Sequence, residues 1–190
     1  MQKSILVAAC AALLLADSAD AQVQLPPNQT LPQGTTPQLR LPAPCRVDLA
    51  ITSITLYKLS TPGSVRVEYD VVNLGPSEWN SRAGQQFANL TTHNNAGGRA
   101  DYTLSVPFGA RRIARNERAA RVVSTPIANA FDAHEFAGTV HAYLSFDPDI
   151  ALDGNACNDD TNAANNEFRL STEQVWGFLS SRARSQTFRR

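Results

Sequence analysis

Residues 65–75 read VRVEYDVVNLG. Val65, Val67, Tyr69 and Val71 are apolar, and the residues between them, Arg66, Glu68 and Asp70, are charged. Side chains of a β-strand point alternately to opposite faces, so this period of two predicts a strand with one face in a core and the other in water. The run stops at Asn73-Leu74-Gly75-Pro76, residues whose backbone preferences favour turns. The same period recurs on both sides. Upstream, Val47, Leu49 and Ile51 alternate with Asp48, Ala50 and Thr52, after which the phase slips to Ile54 and Leu56. That slip at Thr52-Ser53 predicts a bulge, or a first strand that switches sheets. Downstream, Val140, Ala142, Leu144 and Phe146 alternate with His141, Tyr143 and Ser145. Weaker strands are predicted at Phe87–Thr92 and Tyr102–Val106, around an Asn94–Gly98 turn, at Ala120–Thr125 before Pro126, and at Phe168–Leu170. About seven short strands separated by turn signals predict an all-β sandwich.

The flanks have a different character. Residues 1–21 place Lys3 before an apolar run from Ile5 to Ala16 and end in Ala19-Asp20-Ala21, the pattern of a cleaved secretory signal peptide. Val7-Ala8-Ala9-Cys10 also matches a lipoprotein box, but the apolar run continues past Cys10, which argues against acylation there. Residues 22–44 are rich in Pro, Gln and Thr and lack aromatics, so they cannot bury enough apolar area to order themselves and read as a linker. The sandwich is expected over 45–170. A short helix is expected over Thr172–Ser180, capped by Ser171 or Thr172, with Val175, Trp176 and Leu179 on one face. Beyond it, the basic tail RARSQTFRR (182–190) reads as a frayed, solvated end, or as a segment that docks on a partner or an anionic surface.

Removal of the leader leaves two cysteines, Cys45 and Cys157, in an oxidising compartment, and a pair there reads as a disulfide. The 17 basic and 17 acidic residues balance, and no basic excess steers the chain to nucleic acid. After the leader no apolar run is long enough for a transmembrane helix. The expected location is periplasmic or secreted.

The order of these motifs resembles the CARDB family, the cell-adhesion-related domains of bacteria. The features that carry the resemblance are CRVDLAITSITL (45–56), Val71-Val72-Asn73-Leu74-Gly75, the charged turn IARNERAARVV (113–123), Asp147-Pro148 and NAANNEF (162–168). The chain departs from the family pattern at Asn116-Glu117, where Gly-Glu is usual, and at Ala163-Ala164, where an acidic pair is usual. The resemblance implies an immunoglobulin-like or fibronectin III-like sandwich and a non-catalytic, adhesion-related interaction or structural module. It further implies that Cys45 and Cys157 meet at one end, with the arginine-rich turn of residues 110–121 beside the acidic loop, partly neutralising it.

That loop is the main candidate for chemistry. DPDIALDGNACNDD (147–160) carries Asp147, Asp149, Asp153, Asp159 and Asp160 without one Lys or Arg. Read as an EF-hand from Asp149, it has Ala151 at the third position, and no helices flank it, so that motif fails. An irregular calcium cage from the five aspartates stays open, as does a solvated Asn/Asp turn cluster. Trp79 is the candidate for stacking on a sugar, with a core position as the alternative. His93, His134 and His141 are scattered and offer no zinc or nucleophile constellation, so the reading is not an enzyme and names no catalytic residue or obligate cofactor. A ligand-binding accessory module, for calcium at the loop or carbohydrate near Trp79, is the alternative to a protein or envelope partner.

Overall fold

The computed structural model describes residues 44–94, 101–132 and 137–190. The expected leader, most of the expected linker, the tip of the 94–98 turn, and His134 lie outside them. The chain forms an all-β sandwich of two four-stranded antiparallel sheets. The first sheet contains β1 (Leu49–Lys58), β2 (Val65–Asn73), β7 (Arg118–Val123) and β10 (Ser185–Arg189), in the order β10-β1-β2-β7. The second contains β4 (Gln86–His93), β5 (Tyr102–Phe108), β8 (Thr139–Phe146) and β9 (Glu167–Leu170), in the order β5-β4-β8-β9. A two-residue pair, β3 (Trp79–Asn80) with β6 (Arg112–Ile113), forms a third, small antiparallel sheet. Helix α1 (Thr172–Ser180) lies between β9 and β10 in the chain.

Alternation decides what each sheet buries. Ile51, Ile54 and Leu56 of β1 face inward with Val65, Val67, Tyr69 and Val71 of β2, and meet Ala88, Leu90, Val140, Ala142 and Leu170 from the other sheet. Burying a Val, Leu or Ile side chain contributes about 1.5–3 kcal/mol, so these two inner faces dominate the stability. The phase slip in β1 is a bulge. Its register on β2 jumps from Ile51 opposite Val71 to Ile54 opposite Tyr69, so Thr52 and Ser53 share one step and the apolar set returns to the core. The Tyr69 hydroxyl crosses the core and donates to the Asn89 carbonyl of the facing sheet at 2.7 Å. Burial pushes that phenol far above its ordinary range.

The stop after β2 has a physical basis. The buried Asn73 amide donates to the carbonyls of Ser77 and Ile113 and accepts from the Gly75 and Asp48 N–H groups. A Cβ on Gly75 would sit 2.6 Å from the Arg46 carbonyl oxygen and 2.7 Å from the Asp48 nitrogen, because the segment leading into β1 crosses there. Asn116 has φ of 62°, a left-handed conformation that glycine adopts freely and asparagine tolerates better than most residues.

Two expectations are corrected at the C-terminal side. Residues 182–190 are not frayed: β10 pairs with β1 from Ser53 opposite Arg189 to Tyr57 opposite Ser185. Phe188 packs against the core, and Arg190 lies over the Phe168 ring and donates to the Ala164 carbonyl. Helix α1 spans the expected residues, and Ser171 caps it in a capping box with Gln174. Its buried face, however, is Val175 and Phe178. Trp176, one residue and so about 100° round from Val175, is exposed, which follows from the 3.6-residue turn. At the other end of the helix, the Lys58 ammonium lies over Phe178 and donates to the Ser181 carbonyl, placing a cation where helix dipoles favour one.

Candidate functional site

The acidic loop between β8 and β9 is a clasp on β1. Cys157 is disulfide-bonded to Cys45 with a Cα separation of 5.0 Å, within the usual range. Thr161 donates through both its N–H and hydroxyl to the Val47 carbonyl. Asp160 accepts the Leu49 N–H at 3.2 Å and the Asn162 N–H at 2.8 Å. Asn165 donates to Asp48, and the Asn166 amide, oriented to satisfy its neighbours, donates to the Leu49 carbonyl and to Asp160. The Asn165-Asn166 pair that carries part of the family resemblance thus fastens the loop to the first strand.

The structure does not gather the five aspartates into a donor set. Asp147 accepts the N–H of Asp149, while Asp153 accepts from Gln85, Asn158 and the Asn155 N–H. Those three donors hold the Asp153 carboxyl below its ordinary range, whereas burial raises that of Asp160. Asp159 keeps one buried oxygen without a hydrogen bond. Among the described residues no group of three His, Cys, Asp or Glu side chains gathers at metal-binding range. An ion at Asp153 or Asp160 would have to displace N–H donors already pointing at those carboxylates.

Trp79 is corrected as a ligand contact. It is fully buried, donates through Nε1 to Ser81 at 2.9 Å and packs on Phe146, so its ring has no free face. The arginine-rich turn does not neutralise the acidic loop either. Arg111 pairs with Glu117, Arg112 with Glu78, Arg118 with Asp70 and Arg121 with Glu68. On the outer face of the first sheet, Glu68 is held by Arg66 at 3.1 Å, Arg121 at 2.7 Å and the Tyr57 hydroxyl. That carboxylate is already engaged on three sides. His93 is exposed and lies 2.8 Å from Asp101.

A different arrangement appears on the outer face of the second sheet. His141 and Tyr143 project from β8 on the same side and stack, with centroids 4.7 Å apart. His141 Nε2 lies 3.0 Å from Glu167 Oε2, which also accepts from Arg169 at 3.2 Å. A carboxylate only accepts at neutral pH, so it assigns the imidazole proton to Nε2 and leaves Nδ1 as an acceptor. Burial, with the Arg169 charge second, lowers the His141 pKa and favours the neutral ring. The same arginine, then His141, lowers that of Glu167. Where the strand face meets α1 there is a pocket of about 270 Å³ lined by Thr139, His141, Arg169, Leu170, Ser171 and Gln174.

Sequence reasoning placed His141 outward on a strand but did not single it out. The signal available was the spacing His141-Ala142-Tyr143, which puts two rings on one face; the contribution of α1 had no local signature. No family model, curated protein or solved structure matches the chain. Among the described residues no helix is long and apolar enough to cross a membrane.

Proposed function

We propose that the chain is a non-catalytic, extracytoplasmic interaction module of the bacterial envelope, of the CARDB-like, adhesion-related kind. Its engaging surface is the outer face of the β5-β4-β8-β9 sheet beside α1. The observation that carries this reading is the His141–Tyr143 stack, fixed by Glu167 and Arg169 at the mouth of an open pocket. An ordered aromatic pair bordered by polar groups costs little side-chain entropy to present to a partner. The Cys45–Cys157 bridge supports a periplasmic or secreted location, since such bonds persist in oxidising compartments.

The test compares three immobilised chains, wild type, His141→Ala and Arg121→Ala, for retention of components of a solubilised bacterial envelope. Arg121 lies on the other sheet and serves as the control. The expected result is a component retained by wild type and Arg121→Ala but lost with His141→Ala. Equal retention by all three would remove the assigned surface, and conversion of the retained component to products would remove the non-catalytic reading.

A further inference from the structure

We infer that the pocket between α1 and the β8–β9 edge binds one pyranose ring, the terminal sugar of a neutral glycan. The inference rests on the proposed interaction surface and names its ligand class. Size argues first. About 270 Å³ lies just under the roughly 300–1,000 Å³ of sites for drug-sized molecules, which suits a single saturated ring. The lining argues next. His141 presents a flat ring whose position is fixed by Tyr143 and Glu167. A pyranose has an apolar C–H face that can lie against such a ring.

The polar atoms of the pocket match the rim of the same molecule. Nδ1 of His141 is an acceptor, Arg169 supplies guanidinium donors, and the Thr139 hydroxyl can do either. Gln174 uses Oε1 to accept the Ser171 N–H in the capping box, which leaves its amide NH₂ as a donor. Sugar hydroxyls both donate and accept, so a ring of them pairs with this mixed set. A phosphate or carboxylate would in addition meet the like charge of the Glu167 carboxylate that lies beside Arg169.

The experiment is a titration of the ¹⁵N-labelled chain, followed by NMR, with two β-1,4-linked probes: cellotetraose and chitotetraose. Their difference, the acetamido group, tests the ring preference. Binding of either should shift resonances of residues 139–143 and 169–174 and leave those around Glu68 and Arg121 unmoved. His141→Ala should weaken binding about tenfold or more, while His141→Phe, which keeps a flat ring but loses the Nδ1 acceptor, should fall between His141→Ala and wild type. Gln174→Ala, at an exposed helix position, should weaken binding without touching the strand. If wild type shows no pocket shifts with either probe up to about 10 mM, the saccharide assignment is overturned, as it is if His141→Ala binds as well as wild type. In the first case, an envelope component still lost with His141→Ala would leave the interaction surface standing. Loss of both results removes both proposals.

Discussion

At the scale of single residues, the fold depends on a few atoms that cannot be exchanged. Gly75 passes within backbone contact of residues 46–48, and an added methyl group would have to push backbone, not a flexible side-chain tip. Gly75→Ala should therefore destabilise the domain by about 2 kcal/mol or more, read as a lower urea midpoint; an unchanged midpoint would show that the crossing segment yields freely. Tyr69→Phe removes the hydroxyl that satisfies the Asn89 carbonyl across the core. A buried acceptor left without a partner costs about 1–3 kcal/mol, so a loss of that size in urea unfolding is expected. A variant as stable as wild type would mean that the carbonyl finds another donor. The sequence marked Asn73-Leu74-Gly75 as a turn from local preference alone. It could not show that the Asn73 amide makes four hydrogen bonds, because its partners at Asp48 and Ile113 are remote in the chain.

At the scale of elements, strands that alternate cleanly were legible, since each satisfies its own pattern. β10 was not: Ser185–Arg189 has one large apolar residue, Phe188, and its strand character comes from the edge of β1 that it completes. Helix α1 was legible in extent but not in orientation, because Trp176 and Phe178 compete for a core whose direction the helix alone does not set. Phe188→Asp should detach β10 and expose the β1 edge, a ready template for pairing with another chain. Concentration-dependent self-association by sedimentation velocity, absent in wild type, is the expected outcome; a monomeric variant with intact β10 resonances would contradict it. The acidic loop looked like a chemical site because its composition was visible, and its hydrogen bonds to β1 were not. The pocket beside His141 was hidden for the converse reason, its lining being split among β8, β9 and α1.

For the whole molecule, the disulfide and the loop it anchors set the response to reduction and to acid. The bridge joins residues 112 apart in sequence, and a closed loop of that size confers on the order of 4 kcal/mol through the unfolded chain. Replacing Cys45 and Cys157 by Ser should lower stability by a comparable amount in urea, and reduction of wild type should reproduce it; no change in either would place the clasp's strength in its hydrogen bonds alone. Asp160 gives a pH signature. Burial raises its folded pKa above the ordinary 3.8, so ionisation costs stability above the folded pKa. That cost is relieved as pH falls through the folded pKa toward 3.8. The difference in unfolding free energy between wild type and Asp160→Asn should therefore move in favour of wild type as pH drops from 7 to about 4. A constant difference, or one moving the other way, would contradict the assignment.

The two edges of β1 are filled on very different schedules. On one side lies β2, where Tyr57 meets Glu68 only 11 residues away, within reach of a fast local hairpin. On the other side Thr55 meets Thr187 across 132 residues, a closure that must await the collapse of most of the chain. A chain that forms the local hairpin first would leave the other edge of β1 unpaired until β10 arrives. The vulnerable interval of this protein is thus one of time: a chaperone that shields an exposed strand would act there, before the arginine-flanked strand arrives.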